Sequence, residues 1–164
     1  MQTDWRLKHL KKPSHKFELL INSISNPLMV GCYEKGILID SVIKDGKTSD
    51  ILLPILDELL KKYDISRMIY ANGPGSYMAI KITYVTLKTI EILKGIELKA
   101  CSAFELNDFK PIKAIGSLYF IKEKETIITK KLEQPVESKF DLPHSIKHLV
   151  IEESCVPEYI IPAV

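Results

Sequence analysis

The hexapeptide Asn72-Gly73-Pro74-Gly75-Ser76-Tyr77 stands between two apolar stretches and decides the fold. Two glycines and a proline allow a sharp turn from a strand into a helix, with a close approach of the backbone to its neighbours. Ser76 is placed to cap that helix, whose free N–H groups could bind an anion. The turn matches neither GxxxxGK[ST] nor GxGxxG. We therefore interpret it as structural, with anion or nucleotide contact by Asn22, Gly73, Gly75 and Ser76 as the alternative.

The helix predicted over 77–93 is apolar on nearly every side. At about 100° per residue its large apolar side chains point in almost all directions. A helix of this kind in a small domain has to be covered on two sides. We expect the parent sheet to cover one side and a partner protein the other. The apolar residues are Met78, Ile80, Ile82, Tyr84, Val85, Leu87, Ile90, Ile92 and Leu93.

The segments around this helix predict an α/β fold. Short apolar runs predict five strands, and an amphipathic helix over 50–63 can be capped by Ser49 or Asp50. Gly95 is the expected C-cap of the long helix. The order strand-strand-strand-helix-strand-helix-strand is typical of one half of an actin-like or ribonuclease-H-like fold, a mixed sheet with packed helices. The predicted strands are 17–23, 28–34, 36–43, 67–71 and 96–102, and the helices are 50–63 and 77–93.

The pattern weakens after residue 110 and predicts a reduced second subdomain. It indicates a hairpin from 118–121 and 126–128, a loop over 130–144, a strand over 148–152 and a short edge segment over 159–162. We divide the chain into a basic arm (1–16), an actin-like subdomain (17–110) and a truncated second subdomain (111–164).

Charge and cysteine content restrict the function classes. The formal net charge is +2, but residues 1–16 hold five basic residues and one acidic residue, so the remainder sums to −2. The body therefore offers no general nucleic-acid footprint, whereas the arm is a solvated extension or, alternatively, an RNA or partner contact. Cys32, Cys101 and Cys155 form no CxxC pair and fit a reducing compartment. With no secretory signal and no run of about 18 apolar residues, we expect a cytoplasmic location and no membrane contact.

No catalytic or metal-binding constellation is apparent. Metal-dependent nucleases and actin-like ATPases need carboxylates near the ends of the first and fourth strands, where this chain has Asn22 and Asn72. Asp40 is isolated on the third strand. His144 and His148 would lie about 13 Å apart on a strand, too far to share zinc. We predict no catalytic residues and no metal site.

Several segments resemble the TsaB (YeaZ) family, the non-catalytic subunit of the bacterial machinery that makes threonylcarbamoyladenosine on tRNA. The resemblance is carried by Met68–Tyr77, by Lys81-Ile82, by Gly95–Leu98 and by Cys101–Leu106. The first strand, Leu53–Leu56 and Pro157–Ile160 are also similar to the family pattern. The resemblance covers 17–122 and then fades.

The chain departs from this pattern in its polar positions. Met78, Ala79, Lys81 and Thr83 replace the Thr, Gly, Arg and Gly that the family tends to carry, and Asn22 replaces an acidic residue. The region between Lys130 and Pro157 is shorter than the family's second subdomain. These departures argue against a nucleotide role for this chain.

The resemblance implies an actin-like (ASKHA) fold and a helical interface with the catalytic paralogue TsaD. Through TsaD it implies contact with the ATPase TsaE and indirect contact with tRNA, with ATP or ADP in the partner complex and no cofactor of this chain's own. The same surface could form a homodimer when the partner is absent. The alternatives are an actin-like nucleotide-binding or glycoprotease-like enzyme, and a module that contacts tRNA through the arm. The predicted interface residues are Leu52, Ile55, Leu59, Tyr77, Ile80, Tyr84, Leu87 and Glu91.

Overall fold

A computed structural model describes residues 16–160. Within that range the first seven main elements follow the predicted order of three strands, a helix, a strand, a helix and a strand. A single 3-10 turn over Ala103–Leu106 follows the fifth strand. The strands are β1 (Phe17–Asn22), β2 (Leu28–Glu34), β3 (Ile37–Lys44), β4 (Ile65–Ala71), β5 (Glu97–Cys101), β6 (Ile112–Lys113), β7 (Leu118–Glu123) and β8 (Thr126–Lys131), and the helices are α1 (Thr48–Lys62) and α2 (Tyr77–Lys94).

The main sheet has the mixed topology expected of an actin-like half. Its strand order is β3-β2-β1-β4-β5. The first three strands form an antiparallel meander, with Leu20 opposite Gly31. Strand β4 runs parallel to β1, with Leu20 opposite Ile69, and β5 runs parallel to β4. Helices α1 and α2 make the crossovers that parallel pairing requires.

Alternation along β1 divides the core into two layers. Leu19 and Ile21 pack on one face of the sheet against both helices. Leu20 lies on the other face, where it packs in a second cluster with Phe104. That cluster also contains Phe120 from the small β6-β7-β8 sheet. The small sheet therefore closes the face that the helices leave open.

Helix α2 begins and ends at the caps that the sequence predicts, whereas α1 begins at a residue other than the predicted caps. The Ser76 hydroxyl accepts a hydrogen bond from the Ala79 N–H (3.5 Å), and Gly95 is a left-handed C-cap with φ +69°. Helix α1 has Lys47 as its N-cap, without a side-chain cap bond. The predicted caps Ser49 and Asp50 are therefore wrong. They lie inside the first turn, because the Asp50 and Ile51 N–H groups already bond to the Lys47 carbonyl.

The last part of the chain forms the predicted hairpin but not the predicted strand over 148–152. The Leu149 N–H bonds to the Ile146 carbonyl in a turn, and only Ile151 bridges to Cys101. Tyr159 and Ile160 are not in a strand, and the rest of the predicted 159–162 segment lies outside the described residues. The arm is also outside them except for Lys16. Between residues 16 and 160 no helix has the length and apolar character to cross a membrane.

Candidate functional site

The glycine turn lies where β1 and β4 end side by side. Gly73 has φ +135°, a value that favours glycine. Its carbonyl accepts the Ala103 N–H (2.8 Å), and the Asn72 N–H bonds to the Cys101 carbonyl (3.0 Å). These bonds tie the turn to the end of β5 before α2 begins.

Residues 151–160, which we call the C-terminal strap, cross over this turn. The Glu152 N–H donates to the Ala100 carbonyl and the Glu158 N–H donates to the Asn72 carbonyl, each at 2.8 Å. The Asn72 amide donates to the Val156 carbonyl (3.1 Å). A Cβ atom on Gly73 would collide with the Glu158 carbonyl oxygen. Glycine is therefore required at position 73 by the protein's own backbone, which supports the structural interpretation of the turn.

The strap and its surroundings cover two of the four residues predicted as alternative anion contacts. Asn22 is fully buried, and its Oδ1 accepts the Ile24 N–H (3.0 Å). Gly73 faces the carbonyl oxygen of Glu158, an acceptor that cannot bind an anion. Burial also raises the pKa of the Glu158 carboxyl. Only Gly75 and Ser76 reach open space, and Gly75 has the Ile24 side chain packed against it.

The ends of β1 and β4 carry amides. Asn22 Nδ2 and Asn72 Oδ1 are both buried without a hydrogen-bond partner among the described residues. Within 16–160 no three His, Cys, Asp or Glu side chains converge on a point that could hold a metal ion. Asp40 lies at the surface of β3, where hydrogen bonds from Tyr63 and then Lys62 lower its pKa.

The exposed surface of α2 is a candidate interaction site. Steps of four, three and seven residues place Met78, Ile82, Val85 and Ile92 on one face of the helix, and Leu93 follows Ile82 by eleven residues, which is about three turns. Their exposed fractions include 54% for Val85, 74% for Ile92 and 78% for Leu93. An exposed apolar surface of this kind marks an interaction site more often than single exposed apolar residues do. We call this face the outer stripe, formed by Met78, Ile82, Val85, Ile92 and Leu93.

This geometry corrects most of the predicted interface. Five of its eight residues, Leu52, Ile55, Leu59, Ile80 and Leu87, are at most 6% exposed and pack inside the protein. A partner cannot reach these side chains, because the chain's own residues already enclose them.

The other three predicted interface residues are at least partly exposed to solvent. Tyr84 is half-buried against Tyr70, with ring centroids 6.2 Å apart. Glu91 binds Lys88, which lowers the pKa of Glu91, and it also accepts the Leu98 N–H. Tyr77 is 53% exposed. The predicted interface includes none of the five residues of the outer stripe, because a helix that is apolar all round does not indicate which side faces the sheet.

Two hollows flank the start of α2. A cavity of about 520 Å³ lies between the glycine turn and the small sheet, and we call it the junction cavity. A more open hollow of about 450 Å³ adjoins the outer stripe at Met78 and Ile82. Both are lined by Ser76 and by the loop over 24–26.

Comparison with solved structures agrees with the predicted family resemblance at the level of the fold. YeaZ from Pseudomonas aeruginosa superposes with a TM-score of 0.53 at 15% identity, over 87% of this chain and 71% of the YeaZ chain. This chain has a YeaZ-like fold. An uncharacterized protein with similarity to peptidase YEAZ from Pseudomonas aeruginosa matches with the same TM-score at 14% identity, over 87% of this chain and 70% of that one. Neither family models nor curated protein sequences match the chain.

Proposed function

We propose that this protein is a non-catalytic scaffold subunit of the TsaB type, which binds a TsaD-like catalytic paralogue through the outer stripe. The single observation that supports this most is the exposed apolar face of α2 in a YeaZ-like fold. Exposing large apolar side chains to water carries a free-energy cost of roughly 25 cal/mol per Å² of apolar surface. A second protein that covers Val85, Ile92 and Leu93 would remove that cost.

The hollow beside the stripe suits a partner that inserts a side chain. It is bounded by Met78 and Ile82 on α2 and by Lys47 at the start of α1. Interfaces concentrate binding energy where a large side chain fills a pocket surrounded by apolar contacts. Lys81 is exposed at the edge of the stripe, so we expect acidic residues at the matching rim of the partner.

The residues at the ends of β1 and β4 support the proposed non-catalytic role. Asn22 and Asn72 are neutral amides and cannot hold a divalent metal as paired carboxylates do. In this proposal TsaE, ATP or ADP, and tRNA act on the complex through the partner. The enzyme alternative requires that the isolated chain bind ATP or zinc, which calorimetry would detect.

Co-expression with the cognate TsaD, followed by size-exclusion chromatography with light scattering, tests the proposal. We expect a heterodimer with the wild-type chain and its loss with Val85→Glu. Ile43→Glu is the matched control, because Ile43 is 55% exposed and Val85 54%. Ile43 lies on β3 opposite Met29, whose side chain packs on the face away from the helices. A wild-type chain that remains alone, or a Val85→Glu chain that still binds, would refute the proposal.

The arm offers a separate test of the tRNA alternative. Residues 1–15 lie outside the described residues, so that alternative depends on their charge alone. If the arm contacts tRNA, its deletion lowers tRNA retention by the complex and reduces the salt dependence of binding. Unchanged retention would exclude the arm as the tRNA contact.

A further inference from the structure

The junction cavity is bordered by the last residues of the C-terminal strap. Tyr159 and Ile160 both line it. The Tyr159 ring packs on the ring of Tyr77 at the start of α2, with centroids 4.6 Å apart. Ile160 packs against the core cluster that contains Leu20 and Phe104. The strap therefore leads the chain to the wall of the cavity.

The cavity is large and mainly apolar. It measures about 520 Å³, whereas protein interiors contain few voids larger than a water molecule. Apolar side chains that face a cavity lack contacts on that side, and other apolar side chains that fill the cavity restore those contacts. Its lining includes Ile24, Ile112, Ala114, Phe120 and Phe140.

The residues that follow the strap match this lining. They occupy positions 161–164, outside the described residues, and we call them the tail. All four are apolar, so their side chains carry no charge whose burial would cost hydration energy. An extended segment of four residues spans about 13 Å, which exceeds the width of a compact cavity of about 520 Å³. The tail consists of Ile161, Pro162, Ala163 and Val164.

The wall opposite the strap can also receive a backbone. Strand β6 borders the cavity and is an edge strand of the small sheet. An extended segment beside an edge strand finds main-chain hydrogen-bond partners there. Pro162 is compatible with such a position, because proline is tolerated where its missing N–H would face away from the sheet.

From this continuity we infer that the tail docks in the junction cavity of its own chain. The strap then continues past the end of the main sheet, and the tail packs between the start of α2 and the small sheet. Ser76 and the loop over 24–26 line both this cavity and the hollow beside the outer stripe, so a docked tail also supports the wall of that hollow. The docking does not depend on the proposed partner, because none of the residues that line the cavity belongs to the outer stripe.

Methyl NMR on the full chain tests the contact directly. We expect cross-peaks between methyl groups of the tail (Ile161, Val164) and those of Ile24 and Ile112, and none to Ile92 on the outer stripe. A sample that mixes two differently labelled copies should show no cross-peak between copies. Tail methyl groups at random-coil shifts without cross-peaks would overturn the inference. Cross-peaks to Ile92, or between copies, would place the tail elsewhere or in a second copy and would overturn it too.

Charge substitutions in the tail measure its contribution to stability. Ile161→Asp places a carboxylate among apolar walls and should lower the midpoint of urea unfolding by about 0.5 M or more. Val150→Asp is the control, because Val150 is 67% exposed and does not line the cavity. A midpoint for Ile161→Asp that equals the midpoint for Val150→Asp is incompatible with a docked tail.

Filling the cavity tests the same contact from the other side. Ala114 is half-buried and lines the cavity, so Ala114→Trp should displace the tail. The cross-peaks of Ile161 should then vanish, and its methyl groups should move to random-coil shifts. Cross-peaks that persist in a folded Ala114→Trp chain contradict the assignment. If that variant does not fold, Ile161→Asp decides the question, because it alters no described residue.

Discussion

Gly73 and Glu158 meet backbone to backbone, so that a side chain on Gly73 would occupy the position of the Glu158 carbonyl oxygen. The two residues are 85 positions apart in the chain. This contact holds the C-terminal strap over the end of β4. The strap is further held by the Tyr70 hydroxyl, which donates to the Cys155 carbonyl at 2.5 Å.

Replacing Gly73 with alanine should therefore be strongly destabilising. Alanine tolerates φ +135° poorly, and its methyl group would displace the strap. Backbone strain of this kind costs about 1–3 kcal/mol, and we expect the collision to bring the loss in unfolding free energy to the upper end of that range or beyond. Urea unfolding measures it. Gly95→Ala is the control, because nothing lies within 4 Å of its Cβ position, and it should cost only about 1–2 kcal/mol.

Truncating a side chain should lower the stability of the protein on the buried side of α2 and leave it almost unchanged on the outer stripe. Leu87 is fully buried in the core between the helices and the sheet. Leu87→Ala should lower the free energy of unfolding by about 2–5 kcal/mol. Val85→Ala, on the outer stripe, should change it by no more than about 0.5 kcal/mol. Equal losses at both positions in urea unfolding would show that the helix is oriented differently.

Most of the fold could be predicted from the sequence because its signals are local. Short, nearly continuous apolar runs predict β1 and β2, and Gly95 marks the end of α2. The orientation of α2 could not be predicted, since apolar residues lie on all its sides. A polar residue, Thr83, is in fact fully buried, where its hydroxyl bonds with Ser23 (2.7 Å) and with the Ala79 carbonyl (2.8 Å).

The strap could not be predicted for a different reason. Residues 148–152 have the apolar character of a strand, but the chain makes one bridge at Ile151 and then crosses the sheet end. That path is set by distant partners such as Tyr70 and Asn72, which leave no local pattern. The junction cavity was not predicted for a similar reason, because its walls come from five separate parts of the chain.

Stability should fall at alkaline pH because two thiols are buried. Burial raises the pKa of Cys32 from 9.0 to about 11 and that of Cys101 to about 12. In the unfolded chain both thiols ionise near pH 9, so the native state then holds more protons than the unfolded state. The contribution of the two protonated thiols to the free energy of unfolding is complete below pH 9. It is lost as the pH rises toward the pKa values of the thiols in the native state.

The free energy of unfolding should fall by about 1.4 kcal/mol per pH unit for each thiol that ionises only on unfolding. Urea unfolding between pH 8 and pH 10 measures it. The double variant Cys32→Ala/Cys101→Ala should have a shallower slope, although its stability at pH 7 is lower. A slope identical to that of the wild-type chain would show that other groups cause the pH dependence.

The outer stripe should also cause self-association when the partner is absent. Two copies that bury Ile92 and Leu93 against each other would remove the same apolar surface from water as the partner does. We expect light scattering to show a mass that rises with concentration toward a dimer. Ile92→Glu should remain monomeric at every concentration, whereas Ile43→Glu should behave as the wild-type chain does.

If one surface serves both associations, they must compete. Adding the cognate TsaD to the self-associated protein should give a heterodimer of one copy each, with no larger species. A complex that contains two copies of this chain and one of TsaD would mean that self-association uses another surface. The edge strand β3 is a candidate for that surface, because Ile39 and Ile43 also reach solvent there. Ile39→Glu would abolish self-association if this edge forms the contact.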